Sequence, residues 1–321
     1  MLGISSFCPI GAILKGVFMR ISRRAFALGG TAALAAGGLQ RAGAQTAIEM
    51  GAMQIEMLSD GNLVLPRDMI LGTAPQDAAQ VILDQYGLSE GAFTPPCNLT
   101  LLRHEDRVIL FDVGSGPDFQ PTAGFLPDAL DAIGLYPEDI THLVITHGHP
   151  DHIWGLLDDF DEPYLPDAEI LMGRADFDYW MNPATVDTIG AARQSFAVGA
   201  QRRLSAVADM MTFFEDGQEI LPGVAARASF GHTPGHMSFE LNDGSESLMV
   251  IGDAIGNHHV AFARPDWHSG SDQDPETGAQ TRVGLMDQLA SAQMRIAGFH
   301  LPGGLGRVEL DAGAYRFVTE D

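Results

Sequence analysis

Short apolar runs alternate with turn-rich segments along most of the chain, and this pattern predicts a series of strands and helices. Residues 142–146 are almost wholly apolar after their first position, which indicates a strand buried on both faces. Further strands are predicted over 55–61, 167–172, 211–214 and 224–229, and hairpins over 98–111, 239–251 and 307–318. Helices are predicted over 77–86, 126–133, 137–139, 153–160 and 281–297. Mixed elements without a linker predict one α/β domain.

The first 44 residues differ from the rest in charge, with five Lys or Arg and no Asp or Glu. Arg23-Arg24 precede a mild apolar run over 25–39, which is too short for a stable membrane anchor. Ala42-Gly43-Ala44 form a small-x-small cleavage site. We interpret residues 1–44 as a Tat-type signal peptide, with Met19 as an alternative start. The protein is then a client of the Tat machinery, delivered to the periplasm or secreted.

The predicted mature chain, residues 45–321, is strongly acidic: its 13 arginines, without any lysine, face 42 acidic residues, a net charge of −29. A body of this charge repels phosphate backbones, so we expect no nucleic-acid partner. The 45 % hydrophobic content excludes a disordered acidic chain. Charge and composition therefore favour a folded protein that acts on something other than a polyanion.

Three histidines and an aspartate stand within six positions, directly after the predicted buried strand. They are His147, His149, Asp151 and His152. Imidazole nitrogens and carboxylate oxygens suit Zn²⁺ or a neighbouring divalent metal. The spacing therefore predicts a metal site at the end of this strand.

This H-x-H-x-D-H pattern resembles the first metal motif of the metallo-β-lactamase superfamily. The family's later motifs follow in order, with His232 in 231–236, Asp253 in 252–254 and His300 beyond the long predicted helix. Residues 111–116 match the strand and turn that precede the metal motif. The resemblance spans residues 55–318. It implies a metallo-β-lactamase-like αββα sandwich, with two mixed sheets and helices on both outer faces, and a single catalytic domain over 45–321.

The resemblance also implies a division of the ligands between two ions. His147, His149 and His232 would hold one ion, Asp151, His152 and His300 the other, and Asp253 with a water-derived hydroxide would bridge them. The implied reaction is attack by that hydroxide on a carbonyl carbon or a phosphorus, with Asp151 as proton relay. Zinc is the first expectation, and manganese, iron and cobalt stay open. Asp112 and His236 are expected to orient the ligands rather than bind an ion.

Within the superfamily, the C-terminal segments 262–267, 272–275 and 299–308 resemble the branch of methyl parathion hydrolase and exported lactonases and arylesterases. In that branch aromatic side chains line the pocket, and the matching positions here are Phe119, Trp180 and Phe196. The resemblance implies a neutral small-molecule substrate and, since relatives pair, a homodimer. Plain core packing is the alternative for these three aromatics.

Hydrolysis of lactones or of aryl and acyl esters is the favoured reaction. The alternatives are a phosphotriester hydrolase, a β-lactamase or glyoxalase II-like thioesterase, and, from another class, a metal-binding protein without catalysis. Zinc β-lactamases carry Cys or Ser near the place of Asp253, which disfavours that alternative. Of the remaining histidines, His104 and His142 are expected to be structural. For His258, His259 and His268, a pocket role and a structural one stay open.

Overall fold

The computed structural model describes residues 44–320, whose strands form two seven-stranded sheets that each follow chain order. The predicted export signal therefore lies almost wholly outside the described residues. The first sheet contains β1 (Ala44–Met50), β2 (Met53–Asn62), β3 (Pro96–His104), β4 (Arg107–Phe111), β5 (His142–Ile145), β6 (Glu169–Gly173) and β7 (Met211–Phe214). The second contains β8 (Glu219–Leu221), β9 (Val224–Ala228), β10 (Met237–Asp243), β11 (Glu246–Gly252), β12 (Arg295–Gly298), β13 (Leu305–Asp311) and β14 (Ala314–Thr319).

Both sheets are mixed, as predicted. In the first, β1 to β4 pair antiparallel and β4 to β7 pair parallel. In the second, β11 and β12 pair parallel and the other neighbours pair antiparallel. The α-helices are α1 (Arg67–Leu71), α2 (Gln76–Gln85), α3 (Leu126–Ala132), α4 (Pro150–Ile153), α5 (Arg174–Met181), α6 (Thr185–Thr188), α7 (Gln194–Val207), α8 (Val260–Ala263) and α9 (Pro275–Ala292). Short 3-10 turns cover Pro137–Asp139, Trp154–Leu156, Ala191–Arg193 and Ala208–Met210.

Side chains that alternate along the strands build a layered core. In β5, Val144 belongs to the cluster between the sheets, and its neighbour Leu143 to the cluster that packs under α3 and α7. In β11, Val250 faces the first of these clusters and Met249 a third one, beneath α9. Since successive strand side chains point to opposite faces, each sheet is apolar on both sides. The αββα sandwich is confirmed.

The predicted helix over 153–160 is wrong. The chain makes only α4 and one 3-10 turn there, and Leu157 already pairs in extended conformation with Pro163. Tertiary contacts take the backbone groups that a longer helix would use. The Gly155 N–H donates to the Gly114 carbonyl at 2.9 Å, and the Trp154 carbonyl accepts from Arg203 Nε at 2.9 Å.

The long C-terminal helix is displaced from its predicted range of 281–297. It begins at Pro275, where the Asp274 carboxylate caps it by accepting from the Thr277 N–H at 3.1 Å. It ends at Ala292, and the next segment forms β12, which the sequence prediction missed. This strand inserts between β11 and β13, so partners distant in sequence decide its conformation.

Candidate metal centre

Seven candidate ligands meet where strands of the two sheets end. Four follow β5, one lies between β9 and β10, one follows β11 and one follows β12. In that order they are His147, His149, Asp151 and His152, then His232, then Asp253, then His300. All seven side chains are buried. The sandwich thus brings together residues that span more than 150 positions of sequence.

Their ligand atoms form two groups, within each of which all atoms lie within 4.8 Å of one another. The first group is His147, His149 and His232, and the second is Asp151, His152, Asp253 and His300. In the first, His149 Nδ1 lies 3.0 Å from His147 Nε2 and 2.8 Å from His232 Nε2. The resemblance implies the same division of the other six residues but gives Asp253 to both ions, whereas here its carboxylate is grouped with Asp151, His152 and His300.

The Asp253 carboxylate lies between the two groups. Its Oδ2 is 3.3 Å from His232 Nε2 and 3.3 Å from His300 Nε2, and its Oδ1 is 3.3 Å from His152 Nε2. Asp253 is therefore placed to touch cations held in both groups, as expected of a bridging carboxylate.

Outer hydrogen bonds fix which nitrogen of each imidazole faces the centre. His152 Nδ1 donates to Asp112 Oδ2 at 2.7 Å, and His300 Nδ1 donates to the Pro96 carbonyl at 2.7 Å. The Thr146 hydroxyl donates to the same Asp112 oxygen at 2.8 Å. That hydroxyl is then free to accept from the Nδ1 of the adjacent His147 at 3.0 Å. His147, His152 and His300 therefore each turn Nε2 towards the centre, where it can bind a metal ion in place of a proton.

The donor set fits divalent cations. Among the buried polar atoms without a hydrogen-bond partner are Asp151 Oδ2, His152 Nε2 and Asp253 Oδ1, which all belong to the second group. Buried polar atoms are costly unless they are paired, and a cation would satisfy all three at once. Nitrogen and carboxylate ligands of this kind suit zinc and its neighbours.

The two groups differ in charge. Burial lowers the pKa of His147 and His149 well below the usual histidine range, so both rings are neutral. Burial also acts to lower the pKa of His152, but the surrounding carboxylates, Asp253 first, raise it to about 10. For Asp253, burial acts to raise the pKa, yet His300 and the other nearby histidines hold it well below its usual range. Both carboxylates among the seven candidate ligands, Asp151 and Asp253, thus lie in the second group, and they hold protons on His152 and His300 that a bound cation would replace.

Asp112 and His236, for which an orienting role was predicted, form hydrogen bonds with candidate ligands or their neighbours. Asp112 Oδ1 accepts from the Thr146 N–H at 2.8 Å, in addition to its contact with His152. His236 Nε2 accepts from the Asp253 N–H at 3.0 Å, so its Nδ1 carries the proton and donates to Ser229 Oγ at 2.8 Å. Burial, and next the neighbouring His232, lower the pKa of His236 to about 3, which keeps this ring neutral.

Asp176 is a buried residue that the sequence prediction missed. Its Oδ2 accepts from the Gly148 N–H at 2.8 Å and from Trp180 Nε1 at 2.9 Å. Its Oδ1 accepts from the Thr233 hydroxyl and from the Gly235 N–H at 3.3 Å. One carboxylate therefore joins the loop of His147 and His149 to the loop of His232.

Asp272 and Gln273, also missed, support the first group from the loop before α9. Asp272 Oδ1 accepts from His232 Nδ1 at 3.2 Å, and its Oδ2 accepts from Arg282 Nη1 at 3.1 Å. The Gln273 amide meets His149 Nε2 at 3.0 Å. The Ser-Asp-Gln-Asp-Pro run was visible in sequence, but nothing local showed which histidines it would meet.

Asn98 ties the His300 loop to the first sheet. From β3, its Nδ2 donates to the carbonyls of Phe299 at 2.9 Å and Leu301 at 2.7 Å. These bonds fix the backbone on both sides of His300, which follows β12 of the second sheet. A single asparagine in a strand carries no sequence signal of this role.

Two of the three predicted pocket aromatics lie side by side near the centre. The Phe196 ring centroid is 5.8 Å from that of Phe119 and 6.2 Å from that of His149, and both phenylalanines keep partial exposure. Trp154, which we did not predict, extends the group at 5.4 Å from Phe119. Together they form an apolar wall beside the first ligand group.

Trp180 has a different position from the predicted one. It is fully buried, and its indole lies 5.6 Å from the His149 ring, so it has no surface for a substrate. A Cβ at Gly148 would lie 2.4 Å from Trp180 Nε1, which explains glycine between the two metal-motif histidines. Trp180 therefore packs against the loop that carries His147 and His149, on its buried side.

The remaining histidines lie outside both ligand groups. His142 starts β5 with its Nδ1 2.7 Å from the Thr141 hydroxyl, and His104 ends β3. His268 lies 3.4 Å from an oxygen of Glu276 on the surface. These positions agree with structural roles.

His258 and His259 pack against the segment before β3. The His259 ring stacks on Phe93 with 5.2 Å between centroids, and His258 meets Tyr86 edge-on at 5.2 Å. His259 Nδ1 accepts from the Val260 N–H at 2.8 Å and so caps α8. Burial, and next the neighbouring His258, lower the pKa of His259 to about 3.

The fold and the site together define a protein of the metallo-β-lactamase class. A family model of the metallo-beta-lactamase superfamily matches residues 93–289, and the chain belongs to this superfamily.

Several solved structures share the architecture. AidC, a dizinc quorum-quenching lactonase solved with a product, has a TM-score of 0.81 and 24 % identity over 88 % of this chain and 98 % of its own. The hydrolase AbOPH has a TM-score of 0.81 and 26 % identity over 88 % of this chain and 99 % of its own. An AiiA variant of B. thuringiensis has a TM-score of 0.57 and 17 % identity over 78 % of this chain and 94 % of its own.

Among residues 44–320, none of the helices combines the length and the apolar character that crossing a bilayer requires.

Proposed function

We propose that this chain is a zinc-dependent, dinuclear hydrolase of lactones and of aryl or acyl esters. One observation carries the proposal: two buried ligand groups share the Asp253 carboxylate directly beside an apolar wall. The similarity to AidC, described as a dizinc lactonase, supports both the metal and the reaction.

In this assignment His147, His149 and His232 hold one ion and Asp151, His152 and His300 the other, with Asp253 between them. Two ions in such a site supply Lewis acidity and lower the pKa of bound water to about 7. The protein fixes the direction of each ligand through hydrogen bonds behind the rings. We assign proton transfer towards the leaving oxygen to Asp151, whose Oδ2 is buried and meets no donor.

The apolar wall supports a neutral substrate. Phe196 lies beside His149, Phe119 beside Phe196, and Trp154 beside Phe119. Pockets of this composition bind aromatic or acyl groups and leave the polar contacts to the reacting centre. A lactone with an acyl or aromatic substituent could place its substituent against the apolar wall and its carbonyl group at the metal centre.

A substrate panel tests the proposal. Protein loaded with zinc is assayed on dihydrocoumarin, acyl-homoserine lactones, phenyl acetate, methyl parathion, a β-lactam and a glutathione thioester, together with its metal content. We expect two zinc ions per chain and the fastest turnover on the lactones. If methyl parathion, the β-lactam or the thioester is hydrolysed fastest, the protein acts on that substrate class instead. If the protein binds metal but hydrolyses none of the substrates, it is a metal-binding protein without catalysis.

We also propose that the chain is exported through its N-terminal segment. The predicted cleavage after Ala44 falls at the first residue of β1. N-terminal sequencing of protein recovered from the periplasm or medium is expected to begin at Gln45. Another start, or retention in the cytoplasm, contradicts this assignment.

A further inference from the structure

His149 differs from the other histidines of the centre in the nitrogen that it turns inward. Its Nδ1 lies among the ligand atoms of the first group, whereas His147 and His232 contribute Nε2. A neutral imidazole carries one proton, so a ring that gives the Nδ1 lone pair to a metal carries its proton on Nε2. His149 therefore needs a hydrogen-bond acceptor at its outer nitrogen.

Gln273 is the residue at that nitrogen. Its amide group lies 3.0 Å from His149 Nε2, while its Oε1 is buried and meets no hydrogen-bond donor. Its backbone N–H donates to the His232 carbonyl at 3.1 Å, which anchors Gln273 to the loop of a second candidate ligand. The side chain thus faces the centre from a fixed backbone position.

The nitrogen and oxygen of an amide have nearly the same shape, and a half-turn about the last side-chain bond exchanges them. With Nε2 towards His149, two donors face each other whenever His149 binds metal through Nδ1. With Oε1 towards His149, the ring N–H has an acceptor, and the otherwise unpaired oxygen has a donor. Only the second orientation agrees with metal binding.

We propose that Gln273 is a positioning residue for the metal centre, whose carbonyl oxygen accepts from His149 Nε2–H and holds His149 in the tautomer that binds metal through Nδ1. The other histidines receive this support from Asp112, Asp272, Thr146 and the Pro96 carbonyl. Gln273 completes the set. This inference rests on the proposed dinuclear centre and adds a residue to it.

Metal affinity, measured by competition with a chromophoric chelator, tests the inference without a substrate. Gln273→Met keeps the length of the side chain and removes the acceptor, and we expect the affinity for one of the two zinc ions, the one that His149 binds, to fall about 10- to 100-fold. Gln273→Glu keeps an acceptor and is expected to bind zinc at least as tightly as wild type. Gln280→Met, at an exposed position of α9, is the matched control and is expected to behave as wild type.

Two further measurements separate the possible failures. Thermal unfolding of the metal-free variants shows whether Gln273→Met is folded, and ¹⁵N spectra of the histidines in zinc-loaded wild type report the His149 tautomer. Wild-type affinity in a folded Gln273→Met variant, or a His149 proton on Nδ1, overturns the role of Gln273. Failure of the wild type itself to bind zinc overturns the proposed centre instead.

Discussion

The Asp176 carboxylate accepts a hydrogen bond from the backbone N–H of Gly148 at 2.8 Å, in the middle of the metal motif. Its other oxygen accepts from the Gly235 N–H, in the loop of His232. Asp176→Asn removes one of these acceptors, because an amide group has a single oxygen. Whichever way the amide faces, one backbone N–H loses its partner.

We therefore expect Asp176→Asn to lower the free energy of unfolding by roughly 1–3 kcal/mol for each buried donor left unpaired. Urea unfolding of the metal-free protein measures this loss. Asp178→Asn, on the exposed side of the same helix, is the matched control. Equal stability of the two variants would show that Asp176 does not fasten the loops.

Asp253 lies between both ligand groups, within 3.3 Å of a nitrogen from each. Asp253→Ala is expected to reduce the metal content from two ions per chain to at most one and to abolish turnover. Elemental analysis after dialysis measures the stoichiometry. Asp266→Ala, which removes an exposed carboxylate paired with Arg264, should retain both ions. Two ions in Asp253→Ala would contradict the bridging role.

Phe196 tests the apolar wall. Phe196→Ala is expected to raise KM several-fold for acyl and aromatic lactones while kcat changes less, because we expect the ring to contact the substrate away from the reacting atoms. Phe160→Ala, at a side chain that is 84 % exposed, controls for the loss of a ring. An unchanged KM in a folded Phe196→Ala variant would assign this ring to core packing.

His259 gives the metal-free protein a pH dependence that can be assigned to one residue. Its folded-state pKa of about 3 lies below the ordinary value, so the unfolded chain binds a proton that the folded chain does not. This contribution to stability is complete above the ordinary histidine pKa and is lost as the pH falls towards 3.

His259→Asn keeps an acceptor for the Val260 N–H and removes the titration. Between pH 7 and pH 5 the wild type should lose up to about 2 kcal/mol more stability than this variant, since one pKa unit corresponds to about 1.4 kcal/mol. Urea unfolding at the two pH values measures the difference. Parallel losses in both proteins would exclude His259 as the source.

The acidic surface predicts a response to salt. The chain carries a formal charge of −24, and the predicted mature part is more negative, at −29. Self-repulsion of this charge weakens the folded state, and salt screens it over about 10 Å at 0.1 M. We expect the melting temperature of the metal-loaded protein to rise between 0.02 and ~0.5 M NaCl. A melting temperature that does not depend on salt would contradict this.

Most of the candidate metal ligands could be predicted because they stand in short motifs of residues close together in sequence. The segment from β5 to α4 places four ligands within six positions, so strand, turn and helix start fix them locally. His232, Asp253 and His300 were found because each stands in a short motif of its own, in the expected order.

Tertiary structure decided the hydrogen bonds behind the ligands. Gln273 and His149 are 124 positions apart, and Asp272 and His232 are 40 apart. No local periodicity relates such residues, because their distance depends on how one loop packs on another. The same packing moved Trp180 from the predicted pocket wall to a buried position behind His149.

The sequence by itself indicated an α/β domain through its apolar pattern, and its ordered motifs, through the family resemblance, indicated the layered fold and the candidate ligands, because alternation and motif spacing are local properties of the chain. Only the tertiary structure decided which nitrogen of each imidazole faces the centre and where a helix stops. At Gly155, for example, a contact with the Gly114 carbonyl ends a helix that local propensity would extend. These choices depend on hydrogen-bond partners that folding brings from distant parts of the chain.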